Sequence, residues 1–554
     1  MSAKDPLPSF PWPSRPELRW AALFAAAFML LTCLPYLFGL YLRQPGWYYS
    51  GLLTNPDDHN VYLSYLRQAH DGRVFFTDMF TTEHQPSRLV NVYFLIFGFG
   101  ARLAHLPLPI AYHLARVVSG WLLLMSVYWL ASQVLAGVAS RRIALALVAT
   151  ASGLGWLFRA QGGQPHPIDY GPGLVMPEAI TFLTLLLNPL FAFSMLLMVA
   201  TLGLAVHAFA SGSFRSAALA GLSALVLGNI HSYDLIPVGA VLAVYLLFAL
   251  LTRRAPPRAL LLAALIGLIA SPALLHQLWL RSMGDMTIIV KLVGPPALAP
   301  PARYLALGLG LPLGLAAVAA AKALSRGSSD ATRLLAIWLV VGFALVFAPV
   351  PFNRKLAEGL HVPVCLLAVA AVEPLWRPLP RRAWQLGAVL ILLCLPSNVL
   401  YLKRAVGDLI ANNQTYVVNL MPPLYLRPDQ YQALRALDDA ASPSDILLAN
   451  TFLSSYAPSI AGVRVYLGHW SETLHYQDRK VNELAAFLRA GTPDAEREAF
   501  CREEGITYVV RDRTIYDSIF LPPAERAAGG FDPDGSAWLS RVYQRDRVSI
   551  YRVK

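Results

Sequence analysis

Two adjacent aspartates followed by a histidine, Asp57, Asp58 and His59 in TNPDDHNVYLSYLRQAHDG, are residue types that can take a proton from an attacking hydroxyl. Neighbouring carboxylates repel, which raises the pKa of one of them toward that of a useful proton acceptor. The same pair also suits the first turn of a helix, whose positive end favours acids. Other ionisable groups lie within apolar sequence, where a charge is costly unless partnered or functional. These are Glu178 in MPEAITF, His231 and Asp234 in NIHSYD, and Arg354 with Lys355 in PVPFNRKLAEGLH. Three residues apart, His231 and Asp234 share one face of a helical turn, so the carboxylate can orient the imidazole; the alternative is a polar turn. Arg354 and Lys355 can stabilise the charge that gathers on a leaving phosphate, or snorkel at the end of a span. His361 either joins them or packs between helices. Glu178 also reads as a helix-start charge after Pro177. Near the C-terminus, GHWSETLHY offers His469, Glu472 and His475 as a loop able to fold back over a site or as surface polar residues. No HExxH pattern or cysteine partner makes it a recognisable zinc motif. Trp470 and Tyr476 can stack on sugar rings.

The elements that must position these residues are membrane spans. The chain has 554 residues, 56% hydrophobic and only 14% charged, against about 25% charged in soluble domains. Its mean hydropathy is +0.49. A water-soluble enzyme is excluded. The 45 basic and 33 acidic residues give a net charge of +12, and many basic residues fall in short runs between apolar blocks. That pattern encodes topology, and nucleic acid is not an expected partner. Cys33, Cys365 and Cys394 lie in apolar blocks and Cys501 stands alone in the tail, so no disulfide framework forms there.

The first apolar run, from Trp20 to about Leu42, is too long for a signal-peptide core and is expected to stay as an uncleaved span. A polar stretch follows, in which Asn55 or Asp57 caps a helix that Gly72 ends, lying along the membrane surface. The apolar piece 89–106 is interrupted by Gly98, Gly100, Arg102 and His105. Read as re-entrant or interfacial, it leaves the basic clusters on the cytoplasmic side: Arg141–Arg142, Arg215, Arg253–Arg254–Arg258, Lys322–Arg326–Arg333 and Arg377–Arg381–Arg382. About eleven spans result, near 20–42, 110–135, 141–158, 180–210, 217–230, 235–251, 259–280, 301–321, 334–350, 358–375 and 383–401. The N-terminus is then cytoplasmic and the C-terminus outside, with Asn188–Pro189 breaking the fourth span.

From about Lys403 the composition becomes that of a soluble domain. DILLAN, VRVYLG, ITYVVRD and VSIYRV read as strands, and 478–489 and 493–504 as helices. The expected organisation is a polytopic α-helical membrane domain, 1–402, with a first outer loop 43–109, and a small extracytoplasmic α/β domain, 403–554. No Walker loop, GxGxxG, GxSxG or zinc-finger spacing occurs.

The long polar loop after the first span, with its acidic pair, surface helix and re-entrant piece, and the second acid in MPEAITF resemble the GT-C superfamily of membrane glycosyltransferases. These include protein O-mannosyltransferases, aminoarabinose transferases and RgtA/B/C/D-like proteins of family 39 type. The resemblance covers about residues 20–400, mostly as architecture. It implies that Asp57 or Asp58 acts as or positions the catalytic base. Glu178 stands where many members carry Asp, as an acceptor-positioning or metal residue. It also implies an inverting glycosyltransferase of the inner or plasma membrane, acting in the cell envelope. Such an enzyme moves a hexosyl or pentosyl group from a polyprenyl-phosphate donor to a hydroxyl of a glycan, lipid or protein acceptor. His59, His231, Asp234, Arg354, Lys355 and His469 are the expected substrate contacts. A divalent metal ion is compatible with the set but has no certain ligands. The competing expectation is a transporter or flippase of lipid-linked sugars, which usually shows paired halves with matching broken helices.

Overall fold

The computed structural model describes residues 12–158, 176–286, 289–290, 296–323, 328–377, 380–412, 422–513, 521 and 530–554. Among these, seven helices are long and apolar enough to cross a bilayer: Arg15–Leu42, Leu108–Val134, Pro189–Ser211, Ser232–Leu251, Ala259–Ser282, Ala302–Ala323 and Asn353–Trp376. The pair Arg382–Leu393 and Pro396–Ala411, bent by 46°, makes an eighth if taken as one span. The chain is a multi-pass helical membrane protein. Three expected spans are shorter helices: Val138–Thr150 of 13 residues, Phe214–Ile230 of 17 and Asp330–Leu345 of 16. At 1.5 Å per residue they reach roughly 20–26 Å, less than the roughly 30 Å apolar layer. Arg326, assigned above to a basic cluster, lies outside the described residues.

The chain divides into two compact units, each assembled from separated segments. The first comprises 1–34, 113–277 and 296–404. It is a bundle in which Pro189–Ser211 packs on Phe214–Ile230, and Ala302–Ala323 on His361–Trp376. Asn188 ends the short helix Thr181–Leu187, and its side chain accepts hydrogen bonds from the N–H groups of Leu190 and Phe191 to start the next helix, with Pro189 at its first position. Gly310, at φ 60°, interrupts Ala302–Ala323 where a Cβ would sit 2.9 Å from the Gly153 Cα. Two glycines facing each other allow Leu154 N–H to donate to the Leu307 carbonyl at 2.9 Å.

The second unit comprises 35–112, 278–295 and 405–554. Its strands are β1 (Tyr48–Tyr49), β2 (Tyr425–Leu426), β3 (Ile446–Leu448), β4 (Arg464–Val465), β5 (Tyr508–Asp512), β6 (Leu539–Arg545) and β7 (Val548–Val553). β1 and β2 pair antiparallel. The other five form one sheet in the order β4-β3-β5-β7-β6, parallel across the first three strands and antiparallel at the β5–β7 and β6–β7 junctions. The helices Val481–Leu488 and Asp494–Glu503 supply Leu484, Phe487 and Cys501 to a core that also takes Leu448, Val509 and Tyr551 from the sheet.

The helix Pro56–His70 belongs to this unit, and its burial differs from that of a surface helix. Both of its long sides are covered, by Val92–Leu103 and by Thr451–Ile460. Asn60 donates to Ser455 Oγ at 3.1 Å, and Arg67 to the Ile460 carbonyl at 2.9 Å. These polar ties to a segment nearly 400 residues away explain why its amphipathic pattern alone points to a membrane surface. Gly72, at φ 95°, ends the helix as its position requires. Val92–Leu103 has 12 residues, roughly 18 Å, too short to span. Its Gly98 is a packing contact, because a Cβ there would overlap Ala69 and come within 2.9 Å of the Leu66 carbonyl oxygen.

Candidate functional site

The second unit gathers the aspartate pair with a histidine from the C-terminal segment. Asn55 precedes the helix at φ 46°, in the left-handed conformation that Asn tolerates. Its side chain makes no capping bond; Nδ2 instead donates to Asp58 Oδ2 at 2.6 Å. Asp57 and Asp58 both lie in the first turn, toward the positive end of the helix. On its other oxygen, Asp58 meets His469 Nε2 at 3.0 Å.

The 468–473 turn sets that imidazole. Thr473 Oγ1 donates to the Phe80 carbonyl at 2.7 Å and accepts from the N–H groups of Gly468 and His469. The N–H groups of Ser471 and Glu472 point at His469 Nδ1, each at 3.1 Å. His469 is buried, and burial opposes its charge, but the Asp58 hydrogen bond and the surrounding acids raise its pKa to about 9. The two N–H groups work the other way, since they need the Nδ1 lone pair. Geometry decides between them: Nδ1 accepts, and the proton lies on Nε2, directed at Asp58.

The two aspartates are therefore unequal. Burial raises the Asp58 pKa, but the hydrogen bonds from His469 and the Asn55 amide outweigh it and hold this carboxyl below the usual range. Its side chain is 45% exposed, so one face remains accessible. Asp57 is buried and accepts from Ser455 Oγ at 3.3 Å; burial, with Asp58 beside it, pushes its pKa up to about 7. His59 is also buried, its pKa pushed down to about 4, and its Nδ1 meets the Tyr112 hydroxyl at 2.8 Å. It is a neutral packing partner of Tyr112.

Asp78, not singled out by its sequence context, is a further buried acid here. Its Oδ1 accepts from Phe80 N–H at 2.8 Å, and burial together with Glu472 raises its pKa well above the ordinary value. His475 lies apart, exposed and paired with Asp478.

A second cluster lies within the first unit. His231 Nδ1 is 2.9 Å from Asp234 Oδ2, as the three-residue spacing suggests, and 3.6 Å from Glu358 Oε2. Arg354 Nη2 is 3.4 Å from Glu178 Oε1, and Lys355 Nζ stands 4.6 Å from the centre of the Tyr233 ring. Glu178, Asp234 and Glu358 are all buried, while the Arg354 side chain is 40% exposed. Arg354 and Lys355 thus sit against carboxylates and an aromatic face, with Arg354 still accessible to an anion. His361 packs inside the bundle, its Nδ1 3.0 Å from Thr181 Oγ1. Glu358 was hidden in the sequence by the basic pair before it; an acid between an Arg-Lys pair and an apolar span was its only mark. His231, Asp234 and Glu358 could hold a metal ion, since one ligand atom from each lies within 4.8 Å of the others.

The structure brings Asp57, Asp58, His59 and His469 into the second unit, and Glu178, His231, Asp234, Arg354 and Lys355 into the first.

No protein-family model matches the chain, and no curated protein matches it. Solved structures do. The oligosaccharyltransferase of Archaeoglobus fulgidus in its apo form aligns with a TM-score of 0.56 at 12% identity, over 89% of this chain and 69% of that one. Arabinofuranosyltransferase AftD from Mycobacteria aligns at 0.54 and 15% identity, over 98% of this chain, which spans only 40% of its length. ArnT from Cupriavidus metallidurans bound to undecaprenyl phosphate aligns at 0.52 and 13% identity, over 95% of this chain and 97% of that one. These neighbours are GT-C glycosyltransferases, and the fold of this chain is similar to theirs.

Proposed function

We propose that the protein is a membrane glycosyltransferase that moves a sugar, with inversion, from a polyprenyl-phosphate donor to an acceptor hydroxyl outside the cytoplasm. The observation that carries this reading is Asp58: an ionised, accessible carboxylate fixed on one oxygen by Asn55 and on the other by His469. Base catalysis depends first on a carboxylate being within reach of the hydroxyl proton and only then on its pKa. In an oxocarbenium-like transition state the donor bond breaks early, so a weak but well-held base suffices. Asp58 takes the acceptor proton, His469 holds it in place, and Asp57 fixes the first turn of the helix. His59 supports the turn through Tyr112.

Arg354 and Lys355 bind the phosphate of the donor, where fixed cations stabilise the charge left on the departing group. Glu178 orients Arg354. The neighbour ArnT, solved bound to undecaprenyl phosphate, supports the donor class.

Purified protein in nanodiscs, given a panel of radiolabelled polyprenyl-phosphate hexoses and pentoses, should release polyprenyl phosphate and transfer the label, with inverted anomeric configuration by NMR. Movement of intact donor across proteoliposomes without cleavage would replace this reading with the flippase.

A further inference from the structure

The group His231, Asp234 and Glu358 has no role in the proposed transfer, and its chemistry is specific. We propose that these three residues bind one divalent cation of the Zn²⁺ or Mn²⁺ class. One imidazole nitrogen with two carboxylates suits such ions better than Ca²⁺ or Mg²⁺, which prefer oxygen throughout. Around an ion with ligand bonds of roughly 2.0–2.2 Å, adjacent ligand atoms stand roughly 3.3–3.6 Å apart in a tetrahedral site. His231 Nδ1 is already 2.9 Å from Asp234 Oδ2 and 3.6 Å from Glu358 Oε2, and the ligand atoms of all three lie within 4.8 Å of one another, so side-chain adjustment alone would close them around an ion.

A second observation points to a missing ligand. Asp234 is 0% exposed and Glu358 1%, yet Asp234 Oδ1 and both oxygens of Glu358 have no hydrogen-bond partner. Two buried carboxylates facing a single imidazole leave negative charge uncompensated, which a cation at their centre would neutralise. Of the neighbouring cations, Arg354 contacts Glu178, and Lys355, which lies over the Tyr233 ring, acts on Glu358 through its charge without a hydrogen bond to either oxygen. His231 binds as the neutral tautomer whose single ring proton sits on Nε2, so that the Nδ1 lone pair is free to bond the metal. The site is independent of the transferase reading, because it is measured by metal alone.

The test uses the full chain in detergent, stripped with chelator and titrated separately with Mn²⁺ and Zn²⁺ by equilibrium dialysis. One ion per chain is expected, with a rise in Tm. Asp234→Asn and Glu358→Gln should each weaken binding by about 100-fold or more, while Asp58→Asn should leave it unchanged. Pulsed EPR of the Mn²⁺ form should show coupling to an imidazole nitrogen that His231→Gln removes; this reading on the unaltered protein stands even if a variant fails to fold. No bound ion at millimolar metal, affinity unchanged in folded Asp234→Asn and Glu358→Gln, or no nitrogen coupling would overturn the site.

Discussion

At the scale of the residue, the two aspartates that look equivalent in the sequence are separated by their surroundings. Asp58 is ionised and accessible, whereas Asp57 is buried with a pKa pushed up to about 7. If Asp58 is the base, the acid limb of kcat/KM lies below the ordinary carboxylate range. A limb near pH 7 would instead assign the base to Asp57. Asp57 also bears on stability. Folded Asp57 holds its proton more tightly than the unfolded chain does, so stability is lost as pH rises from about 4 to about 7. Asp57→Asn should therefore raise Tm more at pH 8 than at pH 5, measured by thermal unfolding in detergent. His469→Gln, which can still donate from its amide, should keep more activity than His469→Ala, with the loss in kcat rather than KM. Equal losses would mean that the imidazole only fills space.

At the scale of the element, helix start and stop signals were legible and burial was not. Asn55 and Gly72 flank Pro56–His70 as the sequence suggests, although the Asn55 side chain turns to Asp58 without capping and Asp57 lies inside the first turn; the cover that buries the helix comes from Thr451–Ile460, which no local pattern announces. The interruptions in 89–106 were legible as a piece too short to cross; that Gly98 sits there because two helices touch was not. Gly98→Leu should force these helices apart and cost about 1–3 kcal/mol, read as a lower Tm. Gly310→Ala should cost a similar amount, about 1–3 kcal/mol, because φ 60° with ψ −142° is a region open mainly to glycine and the added Cβ meets Gly153. Unchanged Tm in either variant would contradict the close packing. The α/β strands were read at DILLAN, VRVYLG, ITYVVRD and VSIYRV, while β6 was missed because its exposed, polar residues lack an apolar face.

At the scale of the whole molecule, composition marks a change near Lys403, close to the unit boundary between Arg404 and Ala405. Composition does not show that the second unit also takes in 35–112 and 278–295. Val465 N–H donates to the Met79 carbonyl, Arg464 to the Thr81 carbonyl and Thr473 to the Phe80 carbonyl, so the C-terminal segment is completed by the first loop. A fragment of residues 403–554 made alone should consequently show poor amide protection around 464–473 by hydrogen exchange. Full protection would mean that the segment folds without the loop. The identity of the candidate base depends on the same pairing, since Asp58 and His469 are 411 positions apart.

The central claim is that Asp58 takes the acceptor proton during sugar transfer. The most direct measurement is the rate of polyprenyl-phosphate release, in the presence of acceptor, by purified wild-type protein and by Asp58→Asn shown to have the same elution profile and Tm. The account predicts turnover by the wild type and a fall of about 1,000-fold in the variant. Turnover within a few-fold of wild type in a folded Asp58→Asn protein would contradict it.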